Sequence, residues 1–454
     1  LAAAVADGCL VASVVNDCAS TPGTTCKSGP PARCTGQIID GFQLTVVADT
    51  GTSNPAGAAF TAFDRQPALD GSRVVFRAST KTAASPASAT LADAVYVFDI
   101  NAESLAVVAS SGEPLPEAPE SSFAGFEALA TNGPRLDETR IAFVASGSGS
   151  QRGIYGQDGT GIDALVTRSA TIPGTATAFV GLSDPLLATD LIAFNGNDFG
   201  TSSGAYRAAP AAGTVVALCD NKTFQPDGSQ AFSGVSVTDL TVSEALLVGF
   251  GKAPIGAAYG DIQRGIYRIP VLGGAPVVVV NRLTAVPGRP EEVFSAFQGP
   301  TFDGASVVFV GLGAPGAQKP LGPVTYKAIY RRLSEEQMEP LVDTTTPMPG
   351  STELFAEDAG EGLSGNQLSV DGETIYFRGV GTTNFAVSQV GVYRLTTDGE
   401  PERILDRSAT IDGHQVTDLR LGRQAASGGR VVLFASFADG TAAIVLASPV
   451  APSE

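Results

Sequence analysis

The chain has 454 residues, 43% of them hydrophobic, with 46 acidic against 28 basic side chains and a formal charge of −18. That balance repels a phosphate backbone and excludes nucleic acid as an expected partner. Abundant glycine (53) and proline (29) with only 16% charged residues favour many short strands joined by turns over helices. No uncharged apolar run reaches the roughly 18 residues that a membrane-spanning helix needs.

The first segment, residues 1–41, reads as a cysteine-containing arm. "LAAAVADGC" resembles the end of a processed or exported segment. Cys9, Cys18, Cys26 and Cys34 follow at gaps of 9, 8 and 8 in a stretch of Ala, Ser, Thr, Pro and Gly too polar to build a core. Two disulfides there suit an oxidising, secreted or cell-surface setting, and three pairings are open. A four-cysteine zinc site lacks its usual C-x-x-C pair. Within the arm, "CLVASVV" (9–15) has a strand's composition. Leu10, Val11, Val14 and Val15 are the expected contact residues, against either the rest of this chain or a neighbouring subunit. Contacts of the second kind, head to tail, build filaments.

From residue 42 onward the chain repeats itself. A small residue, an aliphatic residue and a tyrosine recur at Tyr96, Tyr155, Tyr206, Tyr267, Tyr330 and Tyr393, at spacings of 59, 51, 61, 63 and 63. Before each tyrosine stands a β-prone run, such as "RVVFRA" (73–78), "RIAFVA" (140–145) or "SVVFVG" (306–311). Before several of these comes a tight-turn pair, as in "PALDG" (67–71), "PTFDG" (300–304) and "LSVDG" (368–372). After each tyrosine comes another apolar strand, then an exit phrase. "RSATIPG" (168–174) and "RSATIDG" (407–413) agree at six of seven positions. Each unit is thus four strands, A to D. Four strands in about 50–60 residues is the period of a β-propeller blade.

Six units are complete. The last stretch supplies only strands A to C, at 414–429, 430–437 and 441–448. The missing strand D lies at the front, in "FQLTVVADTGTSNPAG" (42–57), which aligns with "PLVDTTTPMPG" (340–350). The expected fold is therefore all-β: a seven-bladed β-propeller over 42–454, four antiparallel strands per blade, the last blade closed three plus one. The motifs "P-x-x-D-G-x-x-V-x-F", "G-I-Y" and "L-V" resemble the repeats of TolB-like propellers. The exit phrase followed by "F-x-A-F" (Phe60 to Phe63, Phe294 to Phe297) is similar to repeats in secreted bacterial propeller proteins of unknown function. The resemblance covers about residues 42–448 and implies architecture, not chemistry.

Residues that carry chemistry are sparse. His414 is the one histidine and tryptophan is absent. Gly200-Thr201-Ser202-Ser203-Gly204 matches G-x-S-x-G but lies in a loop between strands, without the following helix a nucleophile elbow needs. "GFGK" (249–252) lacks the earlier glycine and the helix of a phosphate loop. Asp158 with Asp163, and Glu357, Asp358 and Glu361, do not follow a calcium-loop spacing. Cys219, in the apolar "VVALCD", reads as a buried thiol, and Asn221-Lys222-Thr223 is a glycosylation sequon. No catalytic residue, cofactor or metal ligand is expected, and the chain is expected not to be an enzyme. The expected function is a secreted or surface interaction protein that contacts itself or another extracellular protein or glycan, with filament formation through the arm as its sharper form. A glycan- or peptide-binding propeller is the alternative, and a polysaccharide lyase or hydrolase stands behind it.

Overall fold

The computed structural model describes the chain apart from residues 1–4, 7–8, 11–34, 82–90, 132–139, 160, 189–190, 210–213, 227–229, 252–263, 305, 316–325, 357–362, 364–366, 383–388, 397–398 and 451–454. All its named elements are strands, and they assemble into seven antiparallel sheets around a common axis plus one short hairpin. The third sheet shows the unit most simply. Its strands A (Gly181–Ala188), B (Leu191–Asn197), C (Ser203–Ala209) and D (Thr214–Asp220) are hydrogen-bonded in sequence order. The A strands of consecutive sheets touch, and the ring closes where Ala68–Asp70 of the first meets His414–Ser427 of the seventh. The chain is a seven-bladed β-propeller.

The repeated letters of the sequence have repeated structural causes. In every blade the C–D ladder slips by one residue, and in six of the seven it slips at the tyrosine: Tyr96, Tyr155, Tyr206, Tyr267, Tyr330 and Tyr393. In the seventh, Val445 takes that place. The bulge turns the strand so that the ring drops into the gap between blades. There Tyr206 meets Phe179 edge-on, with ring centroids 5.0 Å apart, and stacks near Phe194 at 5.8 Å. Both rings pack against Ala142, Val144, Ile154 and Val166 of the preceding blade. The same arrangement recurs between blades one and two, four and five, and five and six, and between three and four with Leu247 in place of the stacked ring. Each such ring contributes about 1.5–3 kcal/mol by burial, and each edge-on pair about 0.5–1.5 more.

The twin exit phrases are answered by one arginine. Arg168 donates from Nε to the carbonyl of Val180, 2.6 Å away, at the threshold of the next blade. Arg407 does the same to Thr417 at 2.5 Å. The glycine ending each phrase has positive φ, 72° at Gly174 and 84° at Gly413, which L side chains rarely adopt. Asp70-Gly71 and Asp371-Gly372 make the expected tight A–B turns, with Asp70 paired to Arg73 and Asp371 to Thr374.

The seventh blade is closed as its sequence implies. Phe42–Asp49 pairs with Ala442–Pro449, so one N-terminal strand completes three C-terminal ones. Its buried Phe42, Leu44, Val46 and Val47 join a single core with residues of blades six, seven and one.

Candidate interaction site at the closing blade

The seventh blade carries one strand more than the repeat requires. Thr35–Ile39 pairs antiparallel with Phe42–Asp49 and forms the outermost strand of that sheet. The connection is Asp40-Gly41, with φ of 48° and 82°, the two positive values that a tight hairpin turn demands.

Side chains fasten this strand to blade six. Asp40 accepts two hydrogen bonds from Arg403, 2.5 Å from Nε and 3.1 Å from Nη2. The third nitrogen of Arg403 reaches Asp406 at 2.9 Å. The hydrogen bond to Asp40, joined by the pull of Asp406 and opposed by partial burial, holds the guanidinium even more firmly protonated than usual. Gln37 donates to the carbonyl of Thr410 at 2.6 Å, and the Arg394 guanidinium lies 4.7 Å from the centroid of the Phe42 ring. A forked arginine–carboxylate pair is geometrically stiff, so the strand is held in one position on the rim.

Fastened on one side, the strand turns its other edge outward from the sheet. Among the described residues nothing pairs with its outer backbone edge, and Ile38 is 61% exposed. An open edge with an exposed β-branched side chain is a template for strand addition.

The expected contact residues stand as follows. Cys9–Leu10 pairs antiparallel with Val5–Ala6 in a short hairpin. Cys18, Cys26, Cys34, Val11, Val14 and Val15 lie outside the described residues, as do Glu357, Asp358 and Glu361. Cys219 is buried and free, and burial pushes its thiol up to about 12.

His414 places Nδ1 2.6 Å from Oδ2 of Asp439, beside the Phe437 ring, in a hollow of about 150 Å³ that Asp412 and Val46 also line. The hydroxyl and amide of Thr441, with His414 adding to them, hold the Asp439 carboxyl at about 2. Asp412 is pushed up by burial and by the nearby Asp49 carboxylate, against the pull of His414. A carboxylate that orients an imidazole is one part of general-base chemistry. Ser202 belongs to the third blade, where its amide donates to Asp198 at 2.9 Å, so histidine and serine stand in different blades. Among the described residues no group of three or more His, Cys, Asp and Glu side chains could hold a metal ion.

The strand Thr35–Ile39 was not expected from the sequence. The signal was present: "IIDGFQ" is an Asp-Gly turn between apolar residues, the same sign that marks the A–B turns.

The fold and these sites define the class, a closed seven-bladed propeller with an added edge strand. The model of a family of unknown function, DUF7453, matches residues 38–205. No curated protein matches the chain. Among solved structures, the acylaminoacyl peptidase of Pyrococcus horikoshii is similar at 11% identity and a TM-score of 0.50, over 87% of this chain and 52% of that one. The chain thus spans about half the length of that peptidase. TolB of Acinetobacter baumannii is similar at 12% identity and a TM-score of 0.33, over 83% and 80% of the two chains. The alpha-L-arabinanase of Penicillium chrysogenum is similar at 11% identity and a TM-score of 0.36, over 72% and 93%.

The first of these corrects an expectation. The chain was expected not to be an enzyme because its sequence holds no catalytic motif. A propeller of this fold occurs within a peptidase, so the missing motif does not count against catalysis.

Proposed function

We propose that the chain is an extracellular interaction propeller that joins copies of itself head to tail. The N-terminal segment of one copy adds to the open edge of Thr35–Ile39 on the next. The observation that carries this reading is the edge strand itself: anchored to blade six through Asp40 and Arg403, unpaired on its outer side among the described residues, with Ile38 exposed. Val11, Val14 and Val15 supply a donor strand of matching character. Cys9, Cys18, Cys26 and Cys34 supply disulfide staples for a secreted or surface-displayed arm.

The test is light scattering after size exclusion, with negative-stain imaging, on three chains: the full chain, a chain lacking residues 1–34, and Ile38→Lys. The full chain is expected to form oligomers or fibres that grow with concentration. The truncated chain keeps the edge but loses the donor, Ile38→Lys keeps the donor but places a charge on the edge, and both are expected to be monomeric. A full chain that stays monomeric at every concentration overturns the reading.

A further inference from the structure

Between blades two and three lies a cleft of about 370 Å³, lined mainly by polar residues and glycines, with Leu182 of the packed layer in its wall. We infer that this cleft binds an acidic sugar, a uronic-acid residue of an extracellular glycan. The inference is independent of the head-to-tail reading.

The cleft's cation is Arg168. Its Nε and Nη1 donate to the carbonyls of Val180 and Ser150, at 2.6 and 3.0 Å, which fixes the guanidinium in place. Among the described residues no carboxylate lies within ion-pair distance of it. Arg152, on the same wall, differs: it is bound to Glu127 at 2.6 Å. A held guanidinium without a counter-charge, in a chain of net charge −18, is a site for an anion.

The cleft's aromatic is Phe199. Its side chain is 78% exposed although φ is +56°, a conformation that costs a non-glycine residue about 1 kcal/mol or more. The loop is built to hold it there. Asp198 accepts from the amides of Gly200 and Ser202 at 2.8 and 2.9 Å, and Asn197 accepts from the amide of Phe199 at 3.2 Å. Asn221 closes the loop from outside by donating to Thr201 at 2.6 Å. Those amide bonds hold the Asp198 carboxyl below its usual range. A strained loop that presents a phenyl ring to solvent offers a face for the C–H side of a sugar ring.

One amide completes the set. Gln151 is spent on the wall: its Nε2 donates to Ser121 at 3.0 Å and its Oε1 is buried. Asn197 has an Nδ2 that donates to nothing among the described residues, and residue 181 beside it is glycine; a Cβ there would stand 2.7 Å from that nitrogen. One guanidinium, one amide donor and one aromatic face match the carboxylate, a hydroxyl and the ring face of a uronate. A neutral sugar leaves Arg168 unanswered, and an acidic peptide leaves Phe199 unused.

The test is isothermal calorimetry on the full chain with trigalacturonate, with neutral galactotriose, and with a triglutamate peptide. Trigalacturonate is expected to bind with a Kd in the micromolar to low millimolar range, about tenfold or more tighter than the other two. Phe199→Ala, an exposed side chain whose loss leaves the core intact, is expected to weaken binding about tenfold. Arg168→Lys is expected to weaken the uronate more than the neutral sugar, because the forked donor is lost while the charge remains. No saturable heat up to about 10 mM trigalacturonate, equal binding of the neutral sugar, preference for the peptide, or a Phe199→Ala chain that binds as the wild type does, each overturns the inference.

Discussion

Residue by residue, the propeller is sized by what stands two places after the aromatic or leucine of strand B. That position is Gly196, Gly249, Gly311 and Gly379 in blades three to six, and Ala78, Ala145 and Ala435 in blades one, two and seven. A Cβ on Gly311 would lie 2.5 Å from Phe294 and 2.8 Å from Tyr330. The glycine is therefore a demand of packing, not of backbone angle. Gly311→Val is expected to destabilise the chain by about 3 kcal/mol, at the upper end of overpacking costs, read as a shift of the denaturant midpoint. An unchanged midpoint would show that Phe294 can move aside.

Strand by strand, polar side chains stitch blades that the aromatic layers press together. Arg378 on strand B of blade six is wholly buried and donates to the Leu419 carbonyl at 2.8 Å and to Asp418 at 3.0 Å. Asp418 is also bound by Arg420 at 2.7 Å. Burial raises the Asp418 carboxyl, but the two guanidiniums outweigh it and hold it below the ordinary 3.8. A folded-state value below the unfolded one means a contribution present above about pH 4 and lost as pH falls through the lowered value. Asp418→Asn leaves a buried guanidinium short of its partner and is expected to cost about 3 kcal/mol at neutral pH. The penalty should begin to shrink below about pH 4, where the unfolded carboxyl takes up its proton, and vanish as pH falls through the lowered folded-state value. Urea unfolding of both chains at neutral and acidic pH checks this, and a penalty that does not change with pH would assign Asp418 a purely steric role.

For the molecule as a whole, closure is the stabilising event. Every blade but the last is continuous in sequence, so the ring depends on Phe42–Asp49 reaching Ala442–Pro449. Four large side chains of that strand, Phe42, Leu44, Val46 and Val47, are buried beside Ala48. At about 1.5–3 kcal/mol each they rival the whole net stability of an ordinary domain, about 5–15 kcal/mol. Deleting residues 1–49 is expected to abolish cooperative melting and expose the Ala442–Pro449 edge to aggregation, seen by calorimetry and light scattering. Deleting residues 1–34 keeps the closing strand and should leave melting of the ring unchanged. Equal melting of the two truncated chains would show that the ring holds without its fourth strand.

The period, the four-strand unit and the closure were legible in the residues. Each rests on short-range grammar: alternation along a strand, an aspartate-glycine at a turn, and the same small–aliphatic–Tyr triplet wherever a ladder must bulge. The edge strand Thr35–Ile39 was legible too, in Asp40-Gly41, but it stood in a segment whose composition pointed away from the ring. The cleft was not legible. Arg168 reads as part of an exit phrase and Phe199 as a loop residue. Their nearness to Gln151 depends on how far one blade is rotated from the next, a distance set by the rings packed between them. Repetition along a chain determines which unit is built, because each unit's hydrogen bonds are local. Which side chains face one another across two units is decided only when the ring closes, because that geometry belongs to the packing and not to any single repeat.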